Sequence, residues 1–231
     1  MIWHLSNRDI TSDTAMIQNI ITLTMRALRQ FTLVVLLAVA PFAHAAETQT
    51  VLMLGDSLTA GYGLGPGDGL VDQLQERADD TGLSVRFINA GVSGDTTKGG
   101  LARLDWALAE GVDKAVVALG GNDMLRGLSP ADSFQNLRGI LQRLQQDDIE
   151  ILLAGMLAPA NMGAEYQADF DALYPALAEE FDIIYMPFFL QDVALVPALN
   201  QSDGLHPNRA GVSVMVDNLM PYIETLLAKP N

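Results

Sequence analysis

Ser57 follows an apolar run in "VLMLGDSLTAGYGLG" (residues 51–65), and His206 stands three residues after Asp203 in "SDGLHPNRAG". A serine hydroxyl is a weak nucleophile and needs a base. Of the three histidines, His4 and His44 precede a candidate cleavage site, which leaves His206 as the one imidazole of the remainder. Asp203 can accept one ring N–H and fix the tautomer, so that the other ring nitrogen takes the proton of Ser57. Each residue also has a plainer use. A serine after a strand commonly caps a helix, and a lone loop aspartate caps its turn. Asp56, beside the serine, is a second candidate proton acceptor.

Attack on a carbonyl develops negative charge, which needs donors. "NAGVSGDT" offers Gly91 and Gly94, and "LGGNDM" offers Gly120, Gly121 and Asn122. Glycine lets a backbone N–H approach a substrate closely, and an asparagine amide donates without adding charge. Read singly, both stretches are turns, with Asn122 and Asp123 as helix caps. Read together, they predict an oxyanion hole formed by the Ser57 N–H, the Gly94 N–H and the Asn122 side chain. Nucleotide binding is disfavoured: Gly61, Gly63 and Gly65 have the wrong spacing for a dinucleotide fingerprint, Pro66 interrupts, and no Walker lysine follows.

These residues must be positioned by regular elements. Five apolar segments, Val51 to Leu54, Val85 to Ile88, Ala115 to Leu119, Ile149 to Leu153 and Ile183 to Tyr185, alternate with helical patterns. That rhythm predicts a parallel sheet covered on both faces, with ligands beyond the carboxyl ends of its strands. Helices are expected near 70–80, 97–109 and 164–180. "SPADSFQNLRGILQRL" offers Ser129 as cap and Pro130 at the first helical position, with Phe134, Leu137, Leu141 and Leu144 on one stripe. A last helix after Asn208 contains Pro221, expected to bend it.

Residues 25–45, "MRALRQFTLVVLLAVAPFAHA", have the form of an export signal: two arginines, an apolar run, and Ala43-His44-Ala45 ahead of cleavage before Ala46. Phe31 to Ala40 is ten residues, short of the roughly 20 that span a bilayer. Residues 1–24 read as an upstream extension or a misassigned start, with Met25 the alternative first residue. Residues 46–231 suit a single domain. Without Arg8, Arg26, Arg29, Asp9 and Asp13, that domain has ten basic and twenty-six acidic side chains, a formal charge of −16. Such a surface repels nucleic acid. The chain has no cysteine, hence no disulfide and no thiol nucleophile, and one histidine without cysteine is a poor zinc set.

The four blocks "GDSLTAGYG", "GVSGDT", "GGND" and "DGLHPN", in this order, resemble the SGNH, or GDSL, hydrolase superfamily. "GGNDMLRG", "LAPANMG" and "LYPALAEEFDIIYMPFFLQDV" are most similar to its exported thioesterase, lysophospholipase and arylesterase members. The resemblance implies a three-layer α/β/α sandwich with a mostly parallel five-stranded sheet of flavodoxin-like appearance. It also implies a catalytic Ser57, Asp203 and His206, an oxyanion hole of Ser57, Gly94 and Asn122, and no cofactor or metal. Met124 departs from the glycine that follows "GGND" in the thioesterase pattern, and with Met162 it is a candidate substrate-binding residue. Expected substrates are small acyl esters, with thioesters and lysophospholipids as further candidates. The compartment implied is the periplasm or the exterior, and the expected state is a monomer with no stable membrane insertion. The competing class is a noncatalytic lipid- or glycan-binding module on the same scaffold.

Overall fold

The computed structural model describes residues 16–19, 21–26, 48–108 and 111–230. By contacts the chain divides into two units, Met1–Ala45 and Ala46–Asn231. In the first, residues 16–19 and 21–26 are helical and exposed. The export signal expected over 25–45 lies outside the described residues apart from Met25 and Arg26. No helix among the described residues is long and apolar enough to cross a membrane.

The second unit is built on strands β1 (Gln49–Gly55), β2 (Val85–Gly91), β3 (Lys114–Ala118), β4 (Glu150–Ala154) and β5 (Ile184–Met186). They form one parallel sheet in the order β2-β1-β3-β4-β5. β1 and β3 are buried along almost their whole length because parallel strands are covered on both faces, whereas the edge strand β2 alternates buried and exposed positions. Helices α2 (Leu70–Thr81) and α8 (Arg209–Ala228) pack together over one face. On the other, α6 (Pro130–Gln145) packs between α3 (Thr97–Ala102) and α7 (Ala164–Phe181).

The local rules are legible in α6, where Ser129 accepts from the Asp132 N–H and Pro130 opens the helix; Leu137, Ile140, Leu141 and Leu144 are its buried stripe. The helix expected over 97–109 is instead α3 followed by a separate turn α4 (Leu104–Ala107). Between them Arg103 leaves helical geometry (φ −107°, ψ 4°), and its side chain turns to Asp95 and the Gly55 carbonyl. β3 begins one residue before the apolar run, at the buried Lys114, whose ammonium donates to the Lys229 carbonyl at 2.9 Å. That bond gives the buried ammonium one acceptor and a carbonyl beyond the end of α8 a donor.

Two short helices escape any periodicity argument: α1 (Ser57–Ala60) and α5 (Gly121–Leu125). Both lie at carboxyl ends of adjacent central strands. Gly55 makes the first possible, since a Cβ there would overlap the Thr59 side chain and stand 3.1 Å from the Ala118 carbonyl.

Candidate active site

The end of β1 delivers Ser57 as the first residue of α1, with Asp56 as its N-cap. One Asp56 oxygen accepts from the Leu58 N–H at 3.0 Å, and both Asp56 and Ser57 are buried. The hydroxyl of Ser57 lies 2.9 Å from His206 Nε2, across 149 residues of chain. His206 Nδ1 is 2.7 Å from Asp203 Oδ2, while Asp203 Oδ1 accepts the Leu205 and His206 backbone N–H groups at 2.9 and 3.0 Å. The carboxylate is thereby fixed at both oxygens, and Nδ1 is committed to it. Nε2 is left for the serine.

Those contacts also set the charge of Asp203. The backbone N–H of His206, then that of Leu205, then the imidazole hold its carboxyl down from 3.8 to about 2. A depressed carboxyl contributes stability that is present above its unfolded value and lost as pH falls through its folded one. The stability difference between the native protein and Asp203→Asn is therefore expected to be full above pH ~4 and to close toward pH ~2. Thermal unfolding at 0.15 M salt over that range checks this, and a difference independent of pH would refute it.

Two further loops meet the serine. Gly94, after β2, adopts φ 83°, a region that suits glycine, and its carbonyl accepts from Arg126 Nη2 at 2.7 Å. Neither the Ser57 nor the Gly94 N–H donates to a protein acceptor among the described residues. Asn122, in α5, directs Nδ2 to the Asp95 carbonyl at 2.9 Å and to Asp56 Oδ2 at 3.2 Å. Its neighbour Asp123 does not cap α5, whose N-cap position is Gly120. That buried carboxylate accepts from the Thr97 N–H, the Thr97 hydroxyl and the Ser133 hydroxyl, tying α5 to α3 and α6.

Asp56 is the site's unusual ionisable group. Burial pushes its carboxyl up from 3.8 to about 6, against the Leu58 N–H, the charge of His206 and the Asn122 amide, which pull it down, with nearby Asp95 pushing up again.

Ser57, Asp203 and His206 thus meet, and Gly94 and Asn122 belong to the loops around them. The two methionines do not join the cluster. Met124 turns inward and is buried in the core, so α5 exposes Leu125 instead. Met162 closes a single 3-10 turn and lines a separate recess with Pro130, Tyr166 and Asp169. Phe170 and Leu173 are core residues.

Sequence reasoning missed four neighbours. The Tyr62 ring packs on His206 with centroids 4.6 Å apart. Gln201 donates to the Tyr62 and Pro207 carbonyls through its amide and to the His206 carbonyl through its backbone N–H, binding the histidine turn to the loop after α1. Arg103 joins Asp95 (2.6 Å) to the Gly55 carbonyl (3.0 Å), and Arg126 holds Gly94. Tyr62 and Arg126 do sit inside recognised blocks, which was the available signal. No group of three or more His, Cys, Asp or Glu side chains suited to a metal is present among the described residues.

The arrangement sets a serine hydroxyl against an imidazole and an oriented carboxylate, beside unspent N–H donors. Comparison with known proteins points the same way. The profile of the GDSL-like Lipase/Acylhydrolase family matches residues 53–214. The chain is 41% identical over 192 residues to Esterase TesA of Pseudomonas aeruginosa, covering 83% of this chain and 96% of that protein. It is 40% identical over 185 residues to Thioesterase 1/protease 1/lysophospholipase L1 of Escherichia coli K12, covering 80% and 88% respectively. The crystal structure of AlinE4, described as an SGNH-hydrolase family esterase, superposes with a TM-score of 0.66 at 47% identity, covering 79% of this chain and 98% of AlinE4.

Proposed function

The chain belongs to the GDSL-like lipase/acylhydrolase family, and from that membership we propose that it is a serine esterase that hydrolyses carboxylic esters through an acyl-enzyme on Ser57. The supporting observation is the relay from Ser57 Oγ through His206 to Asp203, with links of 2.9 and 2.7 Å. His206 Nε2 accepts the Ser57 proton as Oγ attacks the ester carbonyl, and Asp203 stabilises the imidazolium that forms. The tetrahedral oxyanion is met by the N–H groups of Ser57 and Gly94 and by Asn122. His206 then protonates the leaving alcohol, and water, activated by the same imidazole, releases the acid. Every proton is returned, and no cofactor is required.

Thioesters and lysophospholipids are proposed as further substrates, in keeping with the name of the Escherichia coli relative. The compartment we propose is the periplasm or the exterior, on the strength of the leader-like residues 25–45; cytosolic acyl-CoA would not meet the enzyme there. A monomer of one hydrolase domain over 46–231 completes the proposal. A noncatalytic binding module is not favoured, because binding alone has no use for the relay.

The test is an acyl-chain-length series of p-nitrophenyl esters, CoA thioesters and lysophospholipids under matched conditions. Multiple turnovers that are lost after organophosphonate treatment are expected; stoichiometric binding with no product would overturn the proposal. Within that series, Asn122→Ala is expected to lower kcat by about 10² to 10³, as loss of one donor aimed at an oxyanion does elsewhere. Turnover within about twofold of the native rate would reduce Asn122 to a turn residue.

A further inference from the structure

An asparagine amide presents either nitrogen or oxygen to a substrate, and its terminal torsion is broad and roughly two-fold. An oxyanion hole tolerates only the nitrogen. At Asn122 the choice is enforced by two acceptors, the Asp95 carbonyl at 2.9 Å and Asp56 Oδ2 at 3.2 Å. A flipped amide would set Oδ1 against a carbonyl and a carboxylate.

We propose that Asp56 is a positioning residue for the oxyanion hole: one of its oxygens caps the turn that holds Ser57, while the other keeps Asn122 Nδ2 facing the reacting carbonyl. The inference rests on the oxyanion role proposed above for Asn122. It accounts for the residue type. A cap for the Leu58 N–H needs one oxygen, which serine, threonine or asparagine supplies without burying a charge. Asp56 is 4% exposed, and burial opposes its ionisation. What aspartate adds is a second acceptor, and that second acceptor touches Asn122. A Cβ on Gly121 would stand 3.4 Å from the same oxygen, so α5 begins directly against the carboxylate. Of the two acceptors, Asp56 Oδ2 makes the longer contact with Asn122 Nδ2.

The consequence separates this role from simple support of the fold. Asparagine at 56 is isosteric, but once its oxygen caps Leu58 its amide nitrogen faces Asn122 Nδ2, donor against donor, and pushes the amide out of the orientation that the Asp95 carbonyl alone then holds. Serine at 56 keeps the cap and leaves Asn122 merely unheld. Asp56→Asn, the milder change by shape, is therefore expected to be the more damaging.

The experiment measures p-nitrophenyl acetate hydrolysis at pH 8 by Asp56→Asn, Asp56→Ser, Asn122→Ala and both double variants, with circular dichroism and thermal melts on each. Asp56→Asn is expected to lower kcat about 10²-fold, in the range of a lost oxyanion donor, with KM within about twofold. Asp56→Ser should lose about tenfold, intermediate between a held and an inverted donor. Each double variant should be no slower than Asn122→Ala by more than about twofold, because residues acting as one unit do not add. Multiplicative losses, an Asp56→Asn milder than Asp56→Ser, or an Asp56→Asn near native rate would each overturn the inference. Should Asp56→Asn fail to fold, the Asp56→Ser cycle with Asn122→Ala decides on non-additivity alone. Multiplicative losses with Asn122→Ala itself impaired would sink only the role of Asp56, whereas an unimpaired Asn122→Ala would remove the oxyanion assignment beneath it.

Discussion

Ser57→Ala is expected to lower kcat for ester hydrolysis by about 10⁶-fold, the scale on which a nucleophile of a serine relay fails when removed alone. The side chain is buried at the start of α1, its hydroxyl shares a 2.9 Å hydrogen bond with His206, and the turn is capped through Asp56 and Leu58, which the substitution leaves intact. The fold should therefore survive, and with it the donors of Gly94 and Asn122, so a residue of catalysis about 10³ to 10⁴ above the water reaction is expected to remain. Steady-state rates, with an organophosphonate that labels the native protein stoichiometrically and the variant not at all, check the assignment. A variant retaining a tenth of native turnover would place the nucleophile elsewhere.

His206→Ala is expected to be nearly as severe, about 10⁴ to 10⁶ in kcat. No other imidazole exists in residues 46–231, so no second histidine substitutes as base. The backbone bonds of residue 206, its N–H to Asp203 Oδ1 and its carbonyl from the Gln201 N–H, do not involve the ring and persist in the variant. What is lost is a ring-shaped space between Tyr62 and Asp203. Added imidazole should occupy that space and restore part of the rate, which a purely structural histidine would not permit. Pre-steady-state acylation gives the decisive reading: rapid acylation of Ser57 in folded His206→Ala would transfer the role of base to another acceptor, Asp56 being the buried carboxylate at hand.

The sheet and the two ends of the relay are legible in the sequence because their signals are local. Apolar runs at regular intervals mark β1 to β5, and Asp203 and His206 are three residues apart in one turn. The observed strands extend or shift these runs, most at the carboxyl end of β2, and at β3 the shift takes in a charge. Lys114 opens β3 inside the core, against the ordinary expectation for lysine, because the Lys229 carbonyl awaits it 115 residues on. α1 and α5 hold four and five residues, too few to display a 3.6-residue period. Met124 illustrates the limit: its position in a recognised block is plain, yet whether it faces solvent or core depends on the rotation of α5, which Asp123 fixes through Thr97 and Ser133. The contacts of Arg103, Arg126 and Asp56 likewise span 48, 32 and 66 residues. They exist only once the order β2-β1-β3-β4-β5 has brought the strand ends together.

The separation between Ser57 and His206 bears on how the protein is made. Ser57 leaves the ribosome with the first strand, and the loops of Gly94 and Asn122 follow with the second and third. The imidazole is translated only after all five strands, immediately ahead of the helix that lines β4 and β5. Every nascent chain that has passed the first strand but not residue 206, and every product of premature termination in that interval, thus holds Ser57 without its imidazole partner. On the proposed chemistry such fragments are inert toward the esters of the cell that synthesises them, and hydrolytic competence arrives only once residue 206 has been translated and has folded against the first strand's end.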